Sequence, residues 1–150
     1  VQLQRFGGSW TVAVRFHPRV VSYQLPQHEK IVDATKYPDM QELLASVDAM
    51  ITDYSSSLWD FSFTNKPCAL FCEDLDEYVA KRGFNKPIKE WGFPIAKSND
   101  ELEEIILSWD EQAHIIRMDE QHKNNGSFED GTATKRLSEL IYQKCFGKAE

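Results

Sequence analysis

The sequence predicts an α/β domain built on a mainly parallel sheet. Short runs of β-branched and apolar residues alternate with segments of helical periodicity, the pattern that parallel strands joined by crossover helices leave in a chain. The chain of 150 residues suits one compact domain with a hydrophobic core of its own. One apolar run, ending at Thr52, also gives way abruptly to a polar turn that opens a helix.

The elements follow in order. Trp10 to Phe16 reads as a strand, with Thr11, Val12, Val14 and Phe16 as its β-formers, and Ile31 to Ala34 as a second. Asp39 caps a helix running to Val47, with Met40, Leu43, Leu44 and Val47 at helical spacing. Ala49 to Thr52 is a brief third strand. Ser55 to Thr64 is a helix that Asn65-Lys66-Pro67 stops. Cys68 to Cys72 is a fourth strand and Asp74 to Lys81 a short acidic helix. A Gly- and Pro-containing loop from Arg82 to Gly92 leads to a last short strand, Pro94 to Ala96. Asn99 or Asp100 caps a helix carrying Leu102, Ile105, Ile106 and Trp109; Gln112 to Lys123 is another; Thr132 to Cys145 is the last, with Leu137, Leu140 and Ile141 on one face. Gly147 to Glu150 reads as a frayed tail.

Composition narrows the function. A net charge of −7 argues against a general grip on nucleic acid, which needs a basic field, and leaves room for a local basic pocket for one phosphorylated ligand. Three cysteines without framework spacing argue against a disulfide scaffold, and Cys68 and Cys72 read as reduced core residues of a cytosolic protein. Nothing resembles a metal-ligand cluster, and no run approaches the ~20 apolar residues of a membrane span. The chain opens on Val1 rather than Met, which reads as a piece of a longer protein.

Four segments carry candidate chemistry. In Ile51-Thr52-Asp53-Tyr54-Ser55-Ser56-Ser57-Leu58-Trp59-Asp60-Phe61 a strand ends in a serine-rich turn that opens a helix. The carboxyl ends of parallel strands are where ligands bind in open sheets. Hydroxyls and free N–H groups there suit a diphosphate, although a serine that merely caps the helix is an equal reading. Arg15-Phe16-His17-Pro18 ends the first strand with a forked phosphate donor and a side chain suited to donating or accepting a proton; a surface strand end is the plainer alternative. Arg82-Gly83-Phe84 places an arginine in a tight loop, to reach phosphate or to ease a helix terminus. Phe128 to Ala133, with Asp130-Gly131-Thr132 at its centre, presents or simply caps a helix start.

Taken together and in this order, these segments resemble the C-terminal domain of the CDP-glycerol:poly(glycerophosphate) glycerophosphotransferase family. The resemblance rests on Arg15, His17 and Pro18, on Thr52 to Phe61, on Lys66-Pro67, on Glu77-Tyr78 with Arg82 to Phe84, and on Asp130 to Ala133. It spans about Leu3 to Tyr142. The sequence departs from the family pattern at Asn85, where a tyrosine is frequent, and at Gly92-Phe93-Pro94, where Gly-Pro is frequent.

The resemblance implies a Rossmann-like, three-layer domain, the C-terminal half of a GT-B fold. Residues 1–146 would form the donor-nucleotide domain without its opening strand, and an N-terminal acceptor domain would lie outside this chain. It implies transfer of glycerol phosphate from CDP-glycerol to a hydroxyl of a growing polyol-phosphate polymer or glycan, lipid-linked, at the inner face of a bacterial plasma membrane. Membrane contact would come through parts outside this chain, and neither metal nor cofactor would be required. His17 and Arg15 become the catalytic candidates. Ser55, Ser56, Ser57, Arg82, Asp130, Gly131 and Thr132 become the substrate-binding ones, and Asp53 and Asp60 organise the turn. A related transferase using CDP-ribitol or a nucleotide sugar, and a non-catalytic nucleotide-binding or interaction domain, are the alternatives.

Overall fold

Among the described residues five short strands carry the fold: β1 (Val12–Val14), β2 (Ile31–Asp33), β3 (Met50–Thr52), β4 (Cys68–Phe71) and β5 (Ile95–Ala96). They belong to a computed structural model describing residues 2–127 and 129–147. Phe128 and the last three residues of the expected tail lie outside the described residues. All three strand pairings are parallel, as expected. The single sheet is not what forms. β1 pairs with β2, and β3-β4-β5 make a separate three-stranded ladder. Periodicity fixes which residues extend, but strand partnership depends on edges far apart in the chain.

Among the described residues six helices connect and cover the ladders: α1 (Met40–Ser46), α2 (Ser57–Ser62), α3 (Leu75–Lys81), α4 (Asn99–Leu107), α5 (Glu111–Asn124) and α6 (Ala133–Phe146). Three of their starts, those of α1, α4 and α5, follow from side-chain capping. Asp39 accepts from the Glu42 N–H at 2.9 Å and Asp110 from that of Ala113 at 2.9 Å. At α4 the cap is Ser98, which accepts from Glu101 N–H at 3.2 Å, rather than Asn99 or Asp100. Ser98-Asn99-Asp100 offers three capping side chains in succession, and local spacing does not choose among them. Two single-turn 3-10 segments, Gln2–Phe6 and Ile88–Trp91, complete the path. The second interrupts what reads from sequence as a continuous loop.

The core sits on the β3-β4-β5 ladder. Leu58 and Phe61 of α2, Cys68 and Leu70 of β4 and Met118 of α5 are essentially sealed from water, with Phe93 and Leu75 packed beside them. Burying each large apolar side chain contributes about 1.5–3 kcal/mol. Gly92 has φ +85°, and a Cβ there would meet Gln121 Cγ at 2.9 Å, so α5 packs against this backbone only because the position is glycine. Lys66 closes the joint between α1 and the ladder. Its Nζ donates to the Ala45 and Val47 carbonyls at 3.0 and 2.7 Å, at the helix end where a cation is favoured. α6 keeps its predicted apolar face, but Leu137, Leu140 and Ile141 are at least half exposed. No helix among the described residues is long and apolar enough to cross a membrane.

Candidate functional site

The serine turn lies where the sequence places it, between the carboxyl end of β3 and the start of α2, although α2 begins at Ser57 rather than Ser55. Asp53 organises it: its Oδ1 accepts from the Ser55 N–H at 3.1 Å. Asp60 is exposed in the first turn of α2 and, among the described residues, makes no hydrogen bond to the turn.

The three hydroxyls differ. Ser57 is 9% exposed, and its Oγ lies 2.8 Å from Ser55 Oγ; Ser55 Oγ also accepts from the Ser57 N–H at 3.4 Å. Ser56, at the N-cap position, is exposed, with no side-chain cap bond. Its backbone N–H has no protein acceptor among the described residues. The turn therefore leaves the exposed Ser56 hydroxyl and N–H without a protein partner among the described residues, next to the paired Ser55 and Ser57 hydroxyls.

Arg82 is the C-cap residue of α3 and is exposed, with its Cζ 5.7 Å from the Tyr78 ring centroid. Tyr78 stacks on Tyr54 of the serine turn at 3.8 Å and 24°. Arg82 and the serine turn thus share one aromatic stack across two loops of the same ladder. Gly83, φ +67°, turns the chain directly after Arg82.

Arg15 and His17 leave the carboxyl end of β1, in the other ladder. Arg15 Nη1 donates to the Ala34 and Tyr37 carbonyls at 3.1 and 2.7 Å, fastening this strand end to the segment after β2. His17 is exposed, and its Nδ1 accepts from the Arg19 N–H at 3.1 Å. In the neutral ring the proton then resides on Nε2, leaving that nitrogen as a donor. Among the described residues no hydrogen bond or ring contact joins Arg15 or His17 to the serine turn.

The Asp130–Thr132 turn is self-contained. Asp130 Oδ1 accepts from Thr132 N–H and Oγ1 at 2.9 and 2.6 Å, and its Oδ2 meets Arg136 Nη1 at 3.3 Å. The Thr132 bonds hold the Asp130 carboxyl below its usual range. Gly131, φ +75°, supplies the bend. The carboxylate caps its own turn, and the turn opens α6.

The sequence reading passes over Tyr54 as a site residue. Its hydroxyl donates to Asp74 Oδ1 at 2.6 Å. Burial first, and the Asp74 bond second, raise its pKa, so it stays protonated as a donor. The signal was present in the tyrosine that interrupts Asp53 and the serines, but its partner lies 20 residues on. At the amino end of β4, Cys68 is buried and its thiol is pushed up to about 12 by desolvation. A cavity of about 380 Å³ opens among Leu3, Trp10, Val12 and Ile31. It borders the amino ends of β1 and β2, the edge opposite Arg15 and His17. Among the described residues no cluster of His, Cys, Asp or Glu could hold a metal ion.

The sequence profile of CDP-Glycerol:Poly(glycerophosphate) glycerophosphotransferase matches residues 1–143. The chain belongs to that family. It is 30% identical over 145 residues to a teichoic acid glycerol-phosphate transferase of Staphylococcus aureus (strain NCTC 8325 / PS 47), covering 93% of this chain and 37% of that protein. It is 28% identical over 134 residues to a teichoic acid ribitol-phosphate primase of Bacillus spizizenii (strain ATCC 23059 / NRRL B-14472 / W23), covering 88% and 34%. The wall teichoic acid polymerase TagF, a GT-B-fold protein, superposes with a TM-score of 0.76 at 25% identity, over 95% of this chain and 36% of that one. A TagF variant soaked with CDPG gives 0.75 at 26%, over 95% and 37%. The α/β fold with parallel sheets is therefore that of this family, and the chain spans about a third of the length of these relatives.

Proposed function

We propose that this chain is the donor half of a polyol-phosphate transferase. It binds CDP-glycerol and presents the diphosphate to an acceptor hydroxyl held by the rest of a longer protein. The observation that carries this reading is the serine turn. It leaves the N–H and hydroxyl of exposed Ser56 without a protein partner among the described residues at the carboxyl end of a parallel strand, tied through aromatic rings to Arg82, in a chain of a glycerophosphotransferase family. A diphosphate is recognised by such donors together with a fixed guanidinium.

In the reaction the acceptor oxygen attacks the β-phosphorus of CDP-glycerol. A new P–O bond forms, the bond to the α-phosphate oxygen breaks, CMP leaves, and the hydroxyl proton ends in solution. The chain's task is charge neutralisation and positioning. Ser55, Ser56, Ser57 and Arg82 hold the diphosphate, with the Asp130-Gly131-Thr132 turn as a further contact. His17 Nε2–H donates to the departing phosphate, the role its tautomer favours. Arg15 adds positive charge at that strand end while holding it in place. The acceptor is a polyol-phosphate or glycan chain, lipid-linked at the inner face of the membrane.

For both strand ends to serve one ligand, the ladders must lie side by side. We assign the space between β1 and β3 to an opening strand of the donor domain. Inserting one strand there converts the observed order, β2-β1 and β3-β4-β5, into the doubly wound order whose switch point is a nucleotide site.

CDP-ribitol is a second reading, favoured by relatives named for ribitol phosphate. The test is CMP release by the full-length protein with CDP-glycerol or CDP-ribitol and a polyol-phosphate acceptor. CDP-glycerol turnover that falls about 10²–10⁴-fold in kcat for His17→Ala, with donor KM little changed, is the expected result. Turnover of CDP-ribitol alone replaces the donor; turnover of neither rejects the transferase.

A further inference from the structure

Asp74 occupies the N-cap position of α3, where an aspartate ordinarily accepts from a first-turn N–H. Its side chain makes no cap bond. The carboxylate instead receives the Tyr54 hydroxyl at 2.6 Å, so it is committed to the serine turn at the expense of its own helix.

The Tyr54 ring lies 3.8 Å from Tyr78, and Tyr78 stacks on Phe84 at 5.3 Å and 20°. Phe84 meets Trp91 edge-on at 5.1 Å, and Trp91 Nε1 is pinned to the Lys86 carbonyl at 3.0 Å. The stack is therefore anchored at both ends, by Asp74 and by Trp91. Arg82 lies beside it, 5.7 Å from the Tyr78 centroid, and among the described residues its guanidinium makes no hydrogen bond or ion pair. The face of Tyr78 is what locates that charge.

We propose that Tyr54 and Tyr78, clamped by Asp74, are positioning residues that hold the Arg82 guanidinium beside the serine turn for the donor diphosphate. The proposal rests on the donor-site reading above. A long arginine side chain samples many rotamers, and one already resting on a ring gives up less freedom when a phosphate arrives. Tyr54 and Tyr78 act through Arg82, not on the ligand.

A double-mutant cycle on the full-length protein tests this, with CDP-glycerol affinity measured by calorimetry. Arg82→Ala is expected to weaken binding about tenfold and Tyr78→Leu at least about threefold, with the double variant no weaker than Arg82→Ala alone. Tyr78→Phe keeps the ring and should bind as wild type. Asp74→Asn still offers an amide oxygen to the Tyr54 hydroxyl and should rescue what Asp74→Ser, which can cap α3 but cannot reach Tyr54, loses. Independent, multiplying losses in the double variant would overturn the proposal while wild-type binding leaves the donor reading intact. Absence of CDP-glycerol binding by the wild type would overturn both. Should Tyr78→Leu fail to fold, the same cycle with Tyr54→Phe decides, since that change deletes one hydroxyl; multiplying losses there also overturn the proposal.

Discussion

Arg15 and the Tyr37 carbonyl lie 2.7 Å apart, and the same guanidinium nitrogen reaches the Ala34 carbonyl at 3.1 Å. The arginine that the sequence offers for phosphate is thus also a fastener between two strand ends. A hydrogen bond from a charged donor contributes about 1.5–3 kcal/mol. Arg15→Ala is expected to lower stability by about that amount in chemical denaturation, and to lower donor affinity as the β1 end loosens. Weaker donor binding with an unchanged denaturation midpoint would assign Arg15 to phosphate alone.

His114 is buried, and among the described residues neither ring nitrogen makes a hydrogen bond of good geometry, the Lys66 backbone offering only a weak contact. Burial first, then the nearby Arg117 charge, lowers its pKa. The sign follows. A base whose folded pKa is depressed takes up its proton more readily in the unfolded chain. Its stability contribution is whole above the unfolded value of about 6.5 and is lost as pH falls through the folded pKa. The denaturation midpoint should fall below pH 6.5, with part of that slope absent in His114→Leu. An identical slope in the variant would place the acid sensitivity elsewhere.

Cys68 and Cys72 are buried and Cys145 is exposed. Desolvation raises the thiols of Cys68 and Cys72, and thiolate fraction governs reactivity. A thiol reagent on the native protein is expected to modify Cys145 rapidly and the other two only on unfolding. Rapid loss of all three would show that β4 opens readily.

Much of the fold is legible locally. Asp39 before an apolar stripe marks α1, and the β-branched runs mark the strands to within a residue or two. What escapes is partnership across the chain. Nothing in the spacing shows Arg15 meeting carbonyls 19 and 22 residues on, or Tyr54 meeting Asp74. The split of the strands into two ladders is equally hidden, because pairing is decided by edges and not by periodicity. The serine turn was readable because a strand end, a turn and a helix start adjoin in sequence. The aromatic stack beneath Arg82 was not, because Tyr54, Tyr78 and Phe84 join only once β3 and β4 pair.

The central claim is that the phosphate cradle lies in this chain and the acceptor surface does not. Calorimetry of residues 1–150 with CDP-glycerol, run beside an acceptor-dependent CMP-release assay, tests it most directly. The expected result is saturable binding on the order of millimolar, weakened by Arg82→Ala, with no transfer, since one domain cannot hold both substrates together. Robust transfer by these 150 residues alone, or no binding at millimolar donor, would contradict it.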